Sequence, residues 1–239
     1  MPNCEMLSFA NPKVMARAAT ERWIDQLAAR RDDSAPFCVG LSGGRIAGTF
    51  FTAVAEQARA RAVSLAGAHF FWADERCVPP DEAESNFALA RRYLLDPLAI
   101  QPDKIHRLRG EIAPERAAEE AEAEICRIAP LNTAGQPVLD LIFLGLGEDG
   151  HVASLFPGAP QEVVVTKAVY VPVLASKPPP RRITINFAAL AAARQVWVLV
   201  SGAGKENALR ESLAANGKTP LARVLQMRDK TLIFTDLAI

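Results

Sequence analysis

The stretch Val138-Leu139-Asp140-Leu141-Ile142-Phe143-Leu144, followed by Gly145-Leu146-Gly147-Glu148-Asp149-Gly150-His151-Val152-Ala153-Ser154-Leu155-Phe156-Pro157-Gly158, decides the fold of this chain. Its first half is an almost unbroken apolar run of strand length, the mark of a strand buried on both faces. Its second half turns on glycines as soon as the strand ends, which places the loop on the carboxyl edge of a sheet. Open α/β sheets bind their ligands at that edge. Three side chains of the loop, Glu148, Asp149 and His151, can titrate or accept hydrogen bonds.

Gly145, Gly147 and Gly150 also spell G-x-G-x-x-G, the dinucleotide fingerprint. That motif needs a full helix after its last glycine and an acid about twenty residues on. Pro157 and Pro160 leave room for only a turn or two of helix, and Val165 to Tyr170 contains no acid. A nucleotide reading is rejected. His151 is one of three histidines in the chain and lies beside two acids. An imidazole takes and returns a proton near neutrality. His151 is therefore read as a catalytic residue, against the plainer alternative of a histidine capping a short helix.

Outward from this stretch, apolar runs alternate with helical patterns. Residues 11–31 form a predicted amphipathic helix carrying Val14, Ala18, Ile24 and Leu27. A short buried strand, Pro36 to Leu41, ends in Ser42-Gly43-Gly44 and is followed by a helix from Arg45 to Ala60. Strand, small-residue loop and helix present free backbone N–H groups to a phosphate, although a glycine pair alone is more often a tight turn. The strand His69 to Ala73 runs into Asp74-Glu75-Arg76, read as a loop on the same rim. Ser85 caps a helix through Leu95, a brief strand at Lys104–Leu108 contains His106, and Pro114 opens a helix with an acidic, solvated face. Further strands are expected at Val169–Val173, Ile183–Phe187, Gln195–Val200 and Thr231–Thr235, the last closing the sheet. Lys177-Pro178-Pro179-Pro180 stiffens the approach to Arg181 and Arg182, and Ser201 to Lys205 precedes a helix to Leu213. No composition break marks a boundary. The expectation is a single three-layer α/β domain over residues 1–239 with a mainly parallel sheet.

Composition narrows the functional classes. Half of the 239 residues are apolar, 23% are charged, and the formal net charge is zero. Nothing in that balance favours nucleic acid or an anionic membrane, so an anionic ligand would be met by local charges. No segment reaches the roughly 18 unbroken apolar residues of a membrane span. Glu5, Lys13, Arg17, Glu21 and Arg22 break up any signal-peptide core. Cys4, Cys38, Cys77 and Cys126 are scattered with no C-x-x-C pair, which suggests neither a zinc site nor a disulfide framework. A reduced, cytoplasmic protein is expected, as a monomer or small homo-oligomer.

Four loops together carry a family likeness. The central G-L-G-E-D-G-H-V-A-S-L-F-P-G, the D-E-R-C-V-P-P loop ending in Ser85-Asn86, K-P-P-P-R-R-I-T, and G-A-G-K resemble the 6-phosphogluconolactonases. That family belongs to a wider fold group that includes the glucosamine-6-phosphate deaminases. In the deaminases an asparagine–glutamate segment follows D-G-H; here Ala153-Ser154-Leu155-Phe156-Pro157 follows, which favours the lactonase. The resemblance implies Rossmann-like winding, no metal or organic cofactor, and hydrolysis of a phosphosugar lactone in the oxidative pentose phosphate pathway. It matches His151 to the catalytic histidine and Arg76 to the active-site arginine. Arg182 and Lys205 match phosphate-gripping positions, and Gly43-Gly44 the phosphate loop. The family continues that loop with serine-threonine-proline, whereas this chain has Arg45-Ile46-Ala47. Either Arg45 replaces the missing hydroxyls with a guanidinium, or it points to solvent and the backbone holds the phosphate.

The residue chemistry agrees with that family. One histidine can deprotonate water and later protonate the ring oxygen of an opening lactone. A cation must meet the oxyanion between those steps, and Arg76 is the candidate. Asp74 or Asp149 orients the imidazole. A deaminase acting on an amino-sugar phosphate and a non-catalytic phosphosugar-binding protein remain the alternatives.

Overall fold

In the computed structural model, which describes residues 3–30 and 36–238, the apolar runs become strands and the periodic segments become helices. The chain opens with β1 (Cys4–Ser8), α1 (Pro12–Ala28), β2 (Phe37–Leu41), α2 (Arg45–Ala60), β3 (Ala68–Trp72) and β4 (Asp74–Arg76). It continues with α3 (Asn86–Ala90), β5 (Ile105–His106), α4 (Pro114–Ile128), β6 (Leu141–Gly145), α5 (Gln161–Val165) and β7 (Tyr170–Leu174). It ends with β8 (Arg181–Ile185), α6 (Phe187–Ala192), β9 (Val196–Val200), α7 (Glu206–Leu213), α8 (Pro220–Gln226) and β10 (Thr231–Thr235). The first helix stops short of its expected end, and residue 31 lies outside the described residues.

Among the described residues, seven strands form a parallel sheet in the order β1-β10-β9-β6-β2-β3-β5. The order explains where a ligand can bind. From β2 the chain moves through β3 and β5 toward one edge; from β6 it moves through β9 and β10 toward the other. The winding reverses between β2 and β6, and a reversal of this kind opens a crevice at the carboxyl ends of the two strands. Ser42-Gly43-Gly44 leaves β2 at that crevice, and the glycine-rich loop leaves β6 there too.

The sheet is held by aromatic packing. Trp23 of α1 and Phe50 of α2 meet Phe143 of β6 at centroid distances of 5.0 and 4.6 Å. Phe143 meets Trp197 of β9 at 5.7 Å, and Trp197 meets Phe234 of β10 at 5.2 Å. All five rings are fully buried or close to it. Truncating any one of them to alanine is expected to cost roughly 3–5 kcal/mol, so the platform under the crevice is stiff.

Three expectations need correction. Asp74-Glu75-Arg76 is a strand rather than a loop: β4 pairs antiparallel with β8, and β8 with β7, in a second, three-stranded sheet. Three charged residues in a row give no apolar signal; the strand is set by its pairing with β8, and its two acids are satisfied inside the fold by Ser154, Asn86 and Phe87. The strand β10 does not close the sheet, because β1 pairs beyond it in register Cys4 to Thr231 through Ser8 to Thr235. The strand before the central loop starts at Leu141, since the Asp140 carboxylate turns back to accept a hydrogen bond from the Cys38 backbone N–H (2.8 Å).

Candidate active site

The central loop forms no helix after Gly150. Its backbone closes on itself, with the Gly147 N–H donating to the His151 carbonyl (2.9 Å) and the Gly150 N–H to the Gly147 carbonyl (3.0 Å). This tight turn lays the His151 ring directly over Gly147. A side chain at Gly147 would put its Cβ 2.0 Å from His151 Nδ1, so glycine is required there. The turn also brings Asp149 Oδ1 to 2.5 Å from His151 Nδ1. Phe156 packs on the imidazole at a centroid distance of 4.5 Å. Burial pushes the Asp149 carboxyl up, but the hydrogen bond from His151 and the charges of His151 and Lys177 leave it below its ordinary value. An ionised Asp149 accepts the Nδ1 proton and leaves Nε2 as the basic nitrogen. Nε2 has no hydrogen-bond partner among the described residues.

Asp74, the other candidate to orient the imidazole, is occupied elsewhere. Buried on β4, it accepts hydrogen bonds from Ser154 Oγ (2.6 Å) and from Asn86 Nδ2 (3.2 Å). Asn86 Nδ2 also donates to the Asp74 carbonyl (2.9 Å), and its side chain lies against Gly43, where a Cβ would come within 1.8 Å of Oδ1. Asp74 therefore ties the β4 strand to Gly43 after β2, through Asn86, and to the loop after β6. Sequence reasoning quoted Asn86 within a motif but gave it no place in the site.

Glu75, next to it, is also buried. It accepts hydrogen bonds from the backbone N–H groups of Arg76 (2.7 Å), Asn86 (2.8 Å) and Phe87 (2.8 Å), and from Ser85 Oγ (3.1 Å). Burial outweighs those bonds and pushes its carboxyl up to about 7. These contacts anchor Arg76, whose Nη1 donates to the Glu84 carbonyl (2.6 Å) while its Nε stays buried with no partner.

Arg76 and Arg182 face each other in the register of β4 and β8. Arg182 is only 5% exposed. Its Nε donates to the Pro179 carbonyl (3.0 Å), its Nη2 to the Lys177 carbonyl (3.3 Å) and its Nη1 to Ser154 Oγ (3.4 Å). Its guanidinium also lies 5.5 Å from the Phe156 ring centre. Burial and the Arg76 charge hold its pKa below the ordinary guanidinium value, offset by Asp74. Lys205, at the start of α7, is 6% exposed. Burial and Arg45 lower its pKa, offset by Glu148 and Asp236. Arg76, Arg182 and Lys205 line the same cleft, and a wall carrying three cations favours an anionic ligand.

Of the residues singled out from sequence, Gly43, Gly44, Arg45, Asp74, Arg76, His151, Arg182 and Lys205 border one cleft at the reversal between β2 and β6. Asp149 stands behind the imidazole. Arg45 is exposed, and its Nη2 crosses to Glu148 Oε1 at 2.8 Å. A larger groove of about 970 Å³ along α1 and α2 meets this cleft at Gly44 and Arg45, but it holds no histidine and no buried cation. Cys77 is half-buried, and burial pushes its thiol up, which argues against a reactive thiolate.

The family model described as glucosamine-6-phosphate isomerases/6-phosphogluconolactonase matches residues 10–234. The chain belongs to this family. A member from Streptomyces coelicolor, a 6-phosphogluconolactonase, is 33% identical over 221 residues, covering 90% of this chain and 84% of the relative. A probable chloroplastic 6-phosphogluconolactonase from Oryza sativa subsp. indica is 35% identical over 212 residues, and this chain spans 64% of its length. The solved 6-phosphogluconolactonase of Trypanosoma brucei superposes with a TM-score of 0.87 at 27% identity, covering 98% of this chain and 97% of that one. Family membership accounts for the parallel sheet with flanking helices. Among the described residues no helix is long and apolar enough to cross a membrane.

Proposed function

We propose that the chain hydrolyses 6-phosphogluconolactone to 6-phosphogluconate, with His151 as general base and acid. The observation that carries this reading is the Asp149–His151 pair, whose basic Nε2 borders a cleft lined by buried Arg182 and Lys205. Nε2 removes a proton from water as the water oxygen attacks the lactone carbonyl. The Arg76 guanidinium, anchored beside the buried Glu75, meets the oxyanion of the tetrahedral intermediate as a preorganised donor. As the intermediate collapses, the ring C–O bond breaks and the imidazolium returns its proton to the leaving ring oxygen. Arg182, Lys205, Arg45 and the backbone N–H groups after Gly43-Gly44 hold the phosphate. That group lies away from the reacting carbonyl, so its binding energy can orient the substrate. On this reading residues 1–239 act as one catalytic domain. The four unpaired cysteines fit a reduced cytoplasm.

The test is hydrolysis of freshly made 6-phosphogluconolactone, corrected for spontaneous opening, run beside ammonia release from glucosamine-6-phosphate. Lactone opening well above background without ammonia is the expected result. Ammonia release would move the chain to the isomerase side of its family, and neither activity would leave a phosphosugar-binding protein.

A further inference from the structure

Arg45 begins α2, a 16-residue helix whose N-cap, Gly44, offers no side-chain hydrogen bond. A cation at that end opposes the helix dipole and needs an anion to offset it. In the free protein the anion is Glu148, from the loop after β6, 103 residues away in sequence. Glu148 also lies over Gly204 in the loop leading to Lys205, where a Cβ would approach it to 3.6 Å. Its carboxylate thus stands between two cations that repel each other, Arg45 and Lys205. Lys205 Nζ has no hydrogen bond or ion pair with any described residue; burial and then Arg45 lower its pKa, while Glu148 and Asp236 raise it.

We propose that Glu148 is the resting counter-ion of Arg45, and that the substrate's phosphate displaces it on binding. The proposal rests on the phosphosugar reading of the cleft and adds a residue that reading does not use. The Arg45–Glu148 pair is exposed, with side chains 68% and 53% accessible, and exposed pairs hold weakly. A phosphate offers a second negative charge and a fork of oxygens that a guanidinium can grip at two points. It can also reach Lys205 and the free N–H groups of α2, which a side chain tethered at Glu148 meets less well. Exchange is therefore favourable on binding, and Glu148 returns to Arg45 when product leaves. This chain has Arg45-Ile46-Ala47 after its glycines and no hydroxyl there. Affinity for phosphate is accordingly set by competition between two anions for one guanidinium.

The experiment measures 6-phosphogluconate affinity by titration calorimetry, and KM for the lactone, in wild type, Glu148→Gln, Arg45→Ser and the double variant. Glu148→Gln keeps the shape and removes the competing charge, so it should tighten affinity about two- to fivefold. Arg45→Ser should weaken affinity several-fold and reduce the preference for phosphorylated over unphosphorylated lactone. In the double variant the gain from Glu148→Gln should vanish, because no guanidinium is left to release. Unchanged or weaker affinity in Glu148→Gln overturns the exchange. So does the same gain with or without Arg45, which would reduce Glu148 to a general source of repulsion. Wild type that shows this pattern but opens no lactone would sink the hydrolytic reading and leave the exchange standing. Lactone opening with no effect of Glu148→Gln would do the reverse. Failure to bind 6-phosphogluconate overturns both.

Discussion

Two histidines lie edge to edge with nearly parallel rings at the edge of the large sheet, while the third stands at the cleft, and their neighbours make them chemically unlike. His69 Nδ1 and His106 Nε2 are 2.9 Å apart, with ring centres at 5.1 Å. Lys104 Nζ approaches His69 Nε2 at 3.2 Å, and Glu124 Oε1 approaches His106 Nδ1 at 2.9 Å. An ammonium can only donate, so His69 Nε2 accepts and its proton sits on Nδ1. That proton is given to His106 Nε2, and the His106 Nδ1 proton to Glu124. Every ring nitrogen is spent. At the cleft, Lys177 faces the acid at 3.9 Å and not the ring, so the acid is kept charged and one imidazole nitrogen is left unspent. A lysine on the ring locks a histidine; a lysine on its acid partner readies one.

The strongest way to break this comparison is to exchange the ring at the cleft. His151→Asn is expected to lower kcat by about 10²–10⁴-fold, the range of general acid–base contributions. Its melting temperature should stay near that of wild type, since its loop is closed by backbone hydrogen bonds that the substitution leaves in place. A folded variant that retains more than about a tenth of wild-type kcat would take away the base assignment.

The cations around the cleft sharpen the comparison at smaller amplitude. Lys205→Ala and Arg182→Ala should each raise KM about ten- to a hundredfold, since a charge-assisted hydrogen bond is worth roughly 1.5–3 kcal/mol. The pH profile of kcat should keep its shape in both, because neither cation hydrogen-bonds Asp149 or His151 among the described residues. Arg182→Ala should also lower the melting temperature, since three of its donors serve the fold through Pro179, Lys177 and Ser154. A shifted acid limb with unchanged KM would mean that the cations tune His151 and the phosphate lies elsewhere.

What could be read from the sequence follows the range of the interactions involved. The β6 run and the glycine loop were legible because Asp149, His151 and Gly147 act within four residues of one another. The strand β4 was not legible. Its reason for being a strand is the partner β8, a hundred residues on, and the acceptor groups of Asp74 and Glu75, which are satisfied by Ser154, Asn86 and Phe87. Asp74 therefore looked like a free acid at a strand end, and its pairing took it away from the histidine. Arg45 was visible as a departure from the family loop, but its crossing to Glu148 depends on the β2–β6 reversal, which no local pattern encodes. The edge strand β1 has a mixed burial pattern and only one neighbour, so its periodicity carried little information.

The smallest effect concerns the locked pair and reads out in stability. Burial, then the charges of Lys104 and His106, lower His69 to about 4, with Asp103 opposing and Arg127 adding to the shift. His106 is held down by burial as well, against the pull of Glu124. For His69 the fold binds fewer protons than the unfolded chain between about 4 and the ordinary value of 6.5. Its stabilisation is therefore full above 6.5 and is lost as pH falls toward 4. Glu75 has the opposite sign. Its folded value of about 7 lies above the ordinary 4.5, so its contribution is full below 4.5 and is lost as pH rises through 7. The two windows nearly coincide, and in wild type the slopes oppose each other. His69→Gln removes one of them while leaving the cleft untouched. Its melting temperature, compared with wild type from pH 4 to pH 7, should fall more as pH rises, and its lactone turnover at pH 7 should be unchanged. Parallel melting curves for the two proteins would mean that His69 takes up its proton in the fold as readily as in the unfolded chain. The closed chain of hydrogen bonds from Lys104 to Glu124 would then be wrong, and the contrast between the locked and the available histidine would go with it.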